Sequence, residues 1–372
     1  MTMKKNKIKE IVFLTLRDNK GATGGPGGVL FLQKQMLGEK LLGIPCKYQF
    51  NILAGNLGKL KNILNKILFF FKYCCKNNVL YFTHDTETAY LLAKMNKNYS
   101  MLYHNQGPIV EERLNLGETL KKSSIKKWEK QERIAFLSAK SIHFPSNGAA
   151  EMYFNSKYAN CKIDEVNLYP PLYNIIPMVE PIKTSEVDLD YDDEYITLFS
   201  LGTLTKAKGQ DQTISFLKEY AYLAEKPLRY ILVGRGPMKE ELLGQLKKLK
   251  EEVNSFNYFY FESLSHDSVM YLHKISDIYI MLHRISIFDF ATLEAMSQRS
   301  AIILSKVGGN VDFDKNNNII FAEDIYSDKI LLKSIDLESL KERNFLVFVE
   351  YFSKEAFIKQ YRILFNKLLN IK

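Results

Sequence analysis

This sequence lacks a disulfide framework, a membrane-spanning run and a metal-ligand cluster. Its 372 residues hold only four cysteines. Cys74 and Cys75 are adjacent, Cys46 and Cys161 stand alone, and no pair has metal-ligand spacing. A reducing, cytoplasmic compartment is the simplest expectation. No stretch of about 20 apolar residues is free of charge, so a transmembrane helix is not expected. The basic N-terminus runs into an apolar segment, 11–16, that stops at Arg17 and Asp18. That is too short for the core of a signal peptide and reads as a first buried strand. No repeat of solenoid type and no nucleic-acid recognition motif is visible, so nucleic acid is not an expected partner.

Apolar residues make up 46% of the chain and charged ones 25%, the balance of a globular protein. The length fits two domains of roughly 150–200 residues each. Charge is unevenly spread. Residues 1–180 carry 26 Lys and Arg against 14 Asp and Glu, a net +12, and the remainder is net −3. The basic half favours an anionic partner, or simply keeps the chain soluble.

The first half reads as alternating strands and helices. A strand over 8–16 is followed by a loop holding Gly21, Gly24, Gly25, Pro26, Gly27 and Gly28, then by apolar residues at helical spacing from Val29. Strand, glycine loop and helix suit a phosphate, but the loop has neither dinucleotide-fingerprint nor P-loop spacing. A second strand is expected over 48–53. The stretch from Leu57 to Lys76 is a basic amphipathic helix. Leu57, Leu60, Ile63, Leu64, Ile67, Leu68 and Phe71 fall near one face, with Lys59, Lys61, Lys66, Lys72 and Lys76 around the rest. Either the apolar face packs on the sheet and the lysines are solvated, or the helix lies on an anionic membrane surface. Strands over 79–83 and 100–103 end at His84 and His104, where sheets of this class build their sites. A core or cap role is the alternative for each, and His104, with a polar turn behind it, is the stronger candidate. A basic helix is expected over 119–136 and a fifth strand over 141–145.

A proline-bearing acidic stretch, 179–194, reads as a linker between domains at 1–178 and 195–352. The second half restarts with a strand over 195–201 and a turn from Gly202 to Gly209 that carries Thr203, Lys206 and Lys208. A strand over 228–233 ends in Gly234, Arg235, Gly236 and Pro237. After a strand over 258–262 and a turn at Leu264 comes the stretch 277–309: strand, loop, helix from Phe290, strand, glycine turn. Lys208, the Gly234 turn, the helix start and Glu294 all lie at the carboxyl ends of strands. A helix N-terminus there suits a phosphate, and a carboxylate one turn in accepts from a ribose diol or merely complements the helix dipole. The fold class is α/β: two Rossmann-like parallel-sheet domains facing a cleft, with a C-terminal amphipathic helix over 353–369.

These residues resemble family 4 of the retaining glycosyltransferases, which have the GT-B fold. The resemblance rests on Gly-x-Leu-x-x-x-Lys-Gly (Gly202 to Gly209), Val-Gly-x-Gly-Pro (Val233 to Pro237), Leu-Glu-Ala-Met (Leu293 to Met296) and Val-Gly-Gly-x-x-Asp (Val307 to Asp312). It covers 199–324 well and the first half loosely. It implies a cytoplasmic transferase of hexosyl or N-acetylhexosaminyl type, uridine being the default base, with a glycan or lipid-linked acceptor in cell-surface polysaccharide synthesis. If the basic helix meets lipid, the place is peripheral, on the inner face of the plasma membrane. Lys208 would pair with the donor diphosphate, Glu294 with the ribose, backbone at Phe290 and Ala291 with the distal phosphate, and backbone near Leu264 with the base. Gly27 and Gly28 would let the N-terminal loop approach the phosphates, His104 would face the transferred sugar, and the C-terminal helix over 353–372 would cross back onto the first domain. No metal or other cofactor is implied, because fixed cations and dipoles stabilise the leaving group.

Two positions depart from the family pattern. Thr203 stands where Arg is usual, and the Glu-Gly-Phe-Gly loop is replaced by Ser286, Ile287, Phe288 and Asp289. Asp289 or Arg284 is the substitute for the missing glutamate, or the donor sugar is unusual. The alternative function is a weak or silent relative serving as a partner subunit.

Overall fold

A computed structural model describes residues 8–19, 21, 25–53, 58–222, 224–327 and 336–370. Gly24 and Leu57 lie outside these residues. The chain divides into two compact units, Met1–Ile175 with Lys354–Lys372, and Ile176–Ser353.

The first unit runs β1 (Glu10–Leu14), α1 (Gly25–Leu37), β2 (Lys40–Leu41), β3 (Ile44–Gln49), α2 (Gly58–Tyr73), β4 (Val79–Thr83), α3 (Thr86–Lys94), β5 (Tyr99–Leu102), α4 (Ile109–Asn115), α5 (Lys122–Leu137), β6 (Ile142–His143) and α6 (Asn147–Phe154). Its six-stranded sheet has the order β2-β3-β1-β4-β5-β6. Every pair is parallel except β2 with β3. β1 and β4 are neighbours whose crossovers diverge, so a topological switch point opens at their carboxyl ends. The Asp85 carboxylate ties that point together. It accepts from Thr15 Oγ1 (2.7 Å) and Leu16 N (3.2 Å) beyond β1, and from Thr88 N (2.8 Å) as the cap of α3.

The second unit runs β7 (Ile196–Leu201), α7 (Gln210–Ala221), β8 (Leu228–Val233), α8 (Lys239–Glu252), β9 (Phe256–Phe261), α9 (His266–Ile275), β10 (Ile278–Met281), α10 (Phe290–Ser297), β11 (Ala301–Leu304), β12 (Ile320–Phe321), α11 (Ala322–Ser327) and α12 (Leu337–Val347). The order is β12-β11-β10-β7-β8-β9, parallel throughout. This is the doubly wound arrangement, with its switch point between β7 and β10. Near-continuous apolar strands such as Ile-Tyr-Ile-Met in β10 are buried on both faces, as helices on both sides of a parallel sheet require. The last helix, α13 (Lys354–Leu369), belongs to the first unit, where Tyr361 and Phe365 pack on Phe13 and Phe82.

The segment read as a linker, 179–194, lies within the second unit. Val187 is buried there. The Glu186 carboxylate accepts from Ser265 N (3.0 Å) and Ser268 Oγ (2.5 Å) at the start of α9.

Several local expectations are corrected. The glycine loop ends earlier, because α1 begins at Gly25 and takes Gly27 and Gly28 into its first turn. Pro26 favours that start: its fixed φ is helical and its missing N–H is not needed there. The strand expected over 48–53 is β3, shifted towards the N-terminus by a hairpin. Leu42 (φ 52) and Gly43 (φ 76) form its tight turn, and a leucine in the left-handed region gives no turn signal. The helix expected over 119–136 is α5, which begins at Lys122, and α4, α6, α11 and α12 were not anticipated.

The amphipathic helix α2 is oriented opposite to the expected packing. Its inward face carries Lys61, Asn65, Phe69 and Tyr73, all buried. Asn65 Oδ1 accepts from Ile52 N (2.9 Å) and Leu53 N (2.8 Å), and Lys61 donates to Asp18 (2.9 Å). The apolar stripe faces outward: Leu60 is 56% exposed, Ile63 55% and Phe71 72%, with Ile67 and Phe70 beside them.

Candidate functional site

The second unit concentrates its polar chemistry at the β7/β10 switch point. After β7 the turn from Gly202 bonds the turn after β8, with Gly202 N–H to Val233 O (3.0 Å) and Leu204 N–H to Arg235 O (3.0 Å). Gly234 and Gly236 occupy that second turn. Lys208 ends a short helical turn, and Gly209 behind it has φ +70. A Cβ at Gly209 would stand 1.8 Å from Leu282 O, so only glycine lets the lysine turn pack against the end of β10.

That packing delivers Lys208 to the start of α10. Its Nζ donates to Asp289 Oδ1 at 2.6 Å and lies 3.4 Å from His283 Nε2. Burial opposes ionisation of Asp289, but the Lys208 charge, with hydrogen bonds from Lys208 and Tyr279, outweighs it and holds the carboxyl below its usual range. His283 is pushed to about 3 by burial first and Lys208 second, so it is neutral. Asp289 occupies the N-cap position of α10 yet makes no side-chain cap bond, because its carboxylate is turned to Lys208. The first N–H groups of α10, at Phe290, Ala291 and Thr292, are therefore not capped by it, and the positive end of the helix dipole lies beside the lysine.

Glu294 is the fifth residue of α10 and half-buried. Its Oε1 is 3.1 Å from His266 Nε2 at the head of α9, and its Oε2 is 3.9 Å from His273 Nε2. The hydrogen bond to Glu294 raises the His266 pKa above the usual value. His273 is buried and pushed to about 3 by burial, hence neutral. Leu264, half-buried, precedes Ser265, the α9 cap residue. Lys208, the α10 N-terminus, Glu294 and the Leu264 turn thus converge.

The other predicted residues divide. The Arg284 guanidinium is engaged by both Asp211 oxygens (2.6 and 2.8 Å) and by Lys206 O (2.8 Å), so it braces the lysine turn. Burial opposes the Asp211 charge, but Arg284 and Lys206 hold its pKa at about 2. The Phe288 ring stacks on Phe313 with centroids 4.1 Å apart and packs on Phe352, which makes it a core anchor of the loop. Ser286 is buried; its carbonyl accepts from Gly309 N (2.8 Å), and its hydroxyl has no partner among the described residues. Thr203 lies in the turn after β7, and its carbonyl accepts from Gln210 Nε2 at 3.0 Å. Sequence reasoning missed His266, His273 and His283, three histidines around the two candidate carboxylates. For two of them the signal was available, since His266 opens α9 and His283 follows β10 near the switch point, whereas His273 lies in the last turn of α9.

In the first unit Gly27 lies at the head of α1, where a Cβ would come 2.5 Å from Asp18 O. Gly28 follows, buried. His104 follows β5 and is buried, its Nε2 3.2 Å from His84 Nδ1. Among the described residues no group of three or more His, Cys, Asp and Glu is placed to hold a metal ion, and no helix is long and apolar enough to cross a membrane.

Comparison with known proteins agrees with this architecture. The chain is similar to a sucrose-phosphate synthase from Thermosynechococcus elongatus, with a TM-score of 0.68, 13% identity, and 98% of this chain and 100% of that one covered. It is similar to Anabaena HepE in complex with UDP and glucose, with a TM-score of 0.65, 14% identity, and 96% and 100% covered. A glycosyltransferase from Rickettsia africae gives a TM-score of 0.61 at 16% identity, with 98% and 99% covered. No curated protein sequence matches. At such identities the likeness establishes the fold, and that fold is GT-B, two parallel-sheet α/β units with a switch-point site in the second. Residues 182–355, which nearly coincide with the second unit, match the family model of glycosyl transferases group 1. That match, covering just under half of the chain, together with the shared fold marks the protein as a transferase.

Proposed function

We propose that this transferase is a retaining enzyme that takes its sugar from a nucleoside-diphosphate sugar bound in the second unit. The observation that carries the reading is the convergence of Lys208, the α10 N-terminus and Glu294 at one switch point. Lys208 and the α10 amides take the diphosphate, Glu294 takes the ribose hydroxyls, and backbone at Leu264 meets the base. As the sugar–diphosphate bond breaks, the acceptor oxygen bonds to the same face of the anomeric carbon, and its proton passes to the departing phosphate. Lys208 and the helix dipole stabilise the charge that develops, so no metal or other cofactor is called on. Uridine is the proposed base, supported by the Anabaena neighbour described with UDP and glucose. The proposed acceptor is a glycan or lipid-linked glycan in cell-surface polysaccharide synthesis. The outward apolar stripe of α2, in a half of the chain with net charge +12, supports peripheral contact with an anionic membrane from the cytoplasmic side.

The test is a thermal-shift and hydrolysis screen of UDP-, GDP-, ADP- and dTDP-sugars against wild type and Glu294→Ala. One donor that stabilises the wild type and is slowly hydrolysed, with both effects lost in the variant, is expected. No response to any nucleotide would overturn the reading.

A further inference from the structure

The first unit holds a second ordered arrangement at its own switch point. His84 follows β4 and His104 lies just beyond the neighbouring β5, and their facing nitrogens, Nδ1 of His84 and Nε2 of His104, are 3.2 Å apart. His84 is 1% exposed and rests against Phe82, while His104 is 8% exposed. Burial depresses both imidazoles, His84 well below its usual value and His104 to about 3, so both are neutral at working pH. Two neutral rings share one N–H···N bond, and one of them must donate. The other nitrogen of His84, Nε2, is buried and has no partner among the described residues. If His104 donated, the single proton of His84 would sit on that Nε2 as a buried, unpaired N–H, and such orphaned donors are rare in folded proteins. If His84 donates, Nε2 is an unprotonated nitrogen in an apolar setting and no donor is stranded.

We propose that His84 is the positioning residue of His104: its Nδ1–H donates to Nε2 of His104 and fixes His104 in the tautomer that carries its proton on Nδ1, offered as a donor to a hydroxyl oxygen of a bound sugar. The surroundings hold His104 for that task. The loop after it is pinned by Gln106 N to Glu112 Oε1 (3.1 Å) and Ile109 N to Glu132 Oε1 (3.1 Å). Glu132 is itself buried and also accepts from Tyr103, Tyr153 and Asn160. His84 is anchored by its neighbour Asp85, which bonds across to β1. Ring orientation and tautomer are thus set by elements of one unit, before any ligand arrives.

The sugar-binding clause rests on the proposed function; the tautomer does not. Long-range ¹H–¹⁵N correlation of histidine side chains in the full wild-type chain reads the tautomer directly. A proton on Nδ1 of His104 is expected, and a proton on its Nε2 would overturn the proposal. His84→Phe should release His104 into a mixture of tautomers, and His84→Gln, whose amide can still donate, should restore the Nδ1–H form. In donor hydrolysis His84→Phe should lower kcat about tenfold, the equivalent of one lost hydrogen bond, with KM for the nucleotide-sugar changed less than twofold. His84→Gln should recover most of the loss. Equal loss in both variants despite correct folding would overturn the positioning role. Failure of the wild type to bind any nucleotide would overturn the proposed function and leave the tautomer assignment standing.

Discussion

Lys208 and Asp289 are joined by a 2.6 Å hydrogen-bonded ion pair at the head of α10. In the proposed complex the same ammonium serves the donor diphosphate, so the carboxylate is an internal competitor for it. Lys208→Ala removes one charge-assisted contact of about 1.5–3 kcal/mol and should weaken nucleotide binding roughly 10- to 150-fold. Asp289→Asn keeps an acceptor for Lys208 but removes the charge and should tighten binding several-fold. Calorimetric titration with UDP reads both. Weaker binding by Asp289→Asn would mean that the carboxylate contacts the donor itself, in place of the glutamate missing at 286.

Gly209 tests whether the lysine turn is built as described. Alanine there adds left-handed strain of roughly 1 kcal/mol and a Cβ 1.8 Å from Leu282 O, a backbone atom that cannot turn aside. Gly209→Ala should lower Tm markedly and abolish nucleotide binding. Gly244, exposed within α8 with open space around it, is the contrast. Gly244→Ala should raise stability by about 0.5–1 kcal/mol and leave binding unchanged. A Gly209→Ala protein as stable as wild type would show that the turn does not abut β10.

His266 and Glu294 give a pH signature. Glu294 raises the folded-state pKa of His266 above the ordinary histidine value of 6.5. The stability this contributes is fully present below about 6.5, and it is lost as pH rises through the raised value. The other ionisable groups facing the pair are Asp267, which also favours the charged imidazole, and His273, which is neutral. A ribose that takes Glu294 releases His266 from its partner, so nucleotide binding should expel a proton and strengthen as pH rises through the His266 titration. Calorimetry in buffers of different ionisation enthalpy measures that proton. NMR titration of Glu294→Gln should return His266 towards 6.5. A pH-independent affinity would remove Glu294 from the ribose site.

Much of this site was readable because it follows from chain order. A strand's end, a glycine and a helix start place Lys208, Gly234, Phe290 and Glu294 at the carboxyl ends of strands in a parallel sheet, and β8 falls on the predicted residues. Less readable was anything decided by contacts far apart in sequence. The partner of Lys208 is 81 residues away, and Arg284 is consumed by Asp211 across 73 residues. The β2–β3 hairpin was hidden because Leu42, not glycine or asparagine, holds the left-handed turn position. The facing of α2 was hidden because periodicity shows where the apolar residues gather, while burial was decided by Asn65 satisfying two backbone N–H groups and Lys61 meeting Asp18.

The outward stripe of α2 gives the last prediction. An apolar helix face exposed beside lysines has two means of holding an anionic bilayer: burial of Leu60, Ile63, Ile67 and Phe71 in the interface, and about 1 kcal/mol for each lysine near the surface. The full chain should sediment with vesicles containing anionic phospholipid at low salt, and less with neutral vesicles or at high salt. Ile67→Asp and Phe71→Asp alter side chains that pack on little of the first unit, so Tm should hold while vesicle binding falls at least tenfold. These variants should leave hydrolysis of a soluble donor unchanged, because α2 carries none of the proposed donor contacts. Absence of binding to anionic vesicles at low salt would remove the membrane from the proposed function, and the stripe would then require a protein surface to cover it.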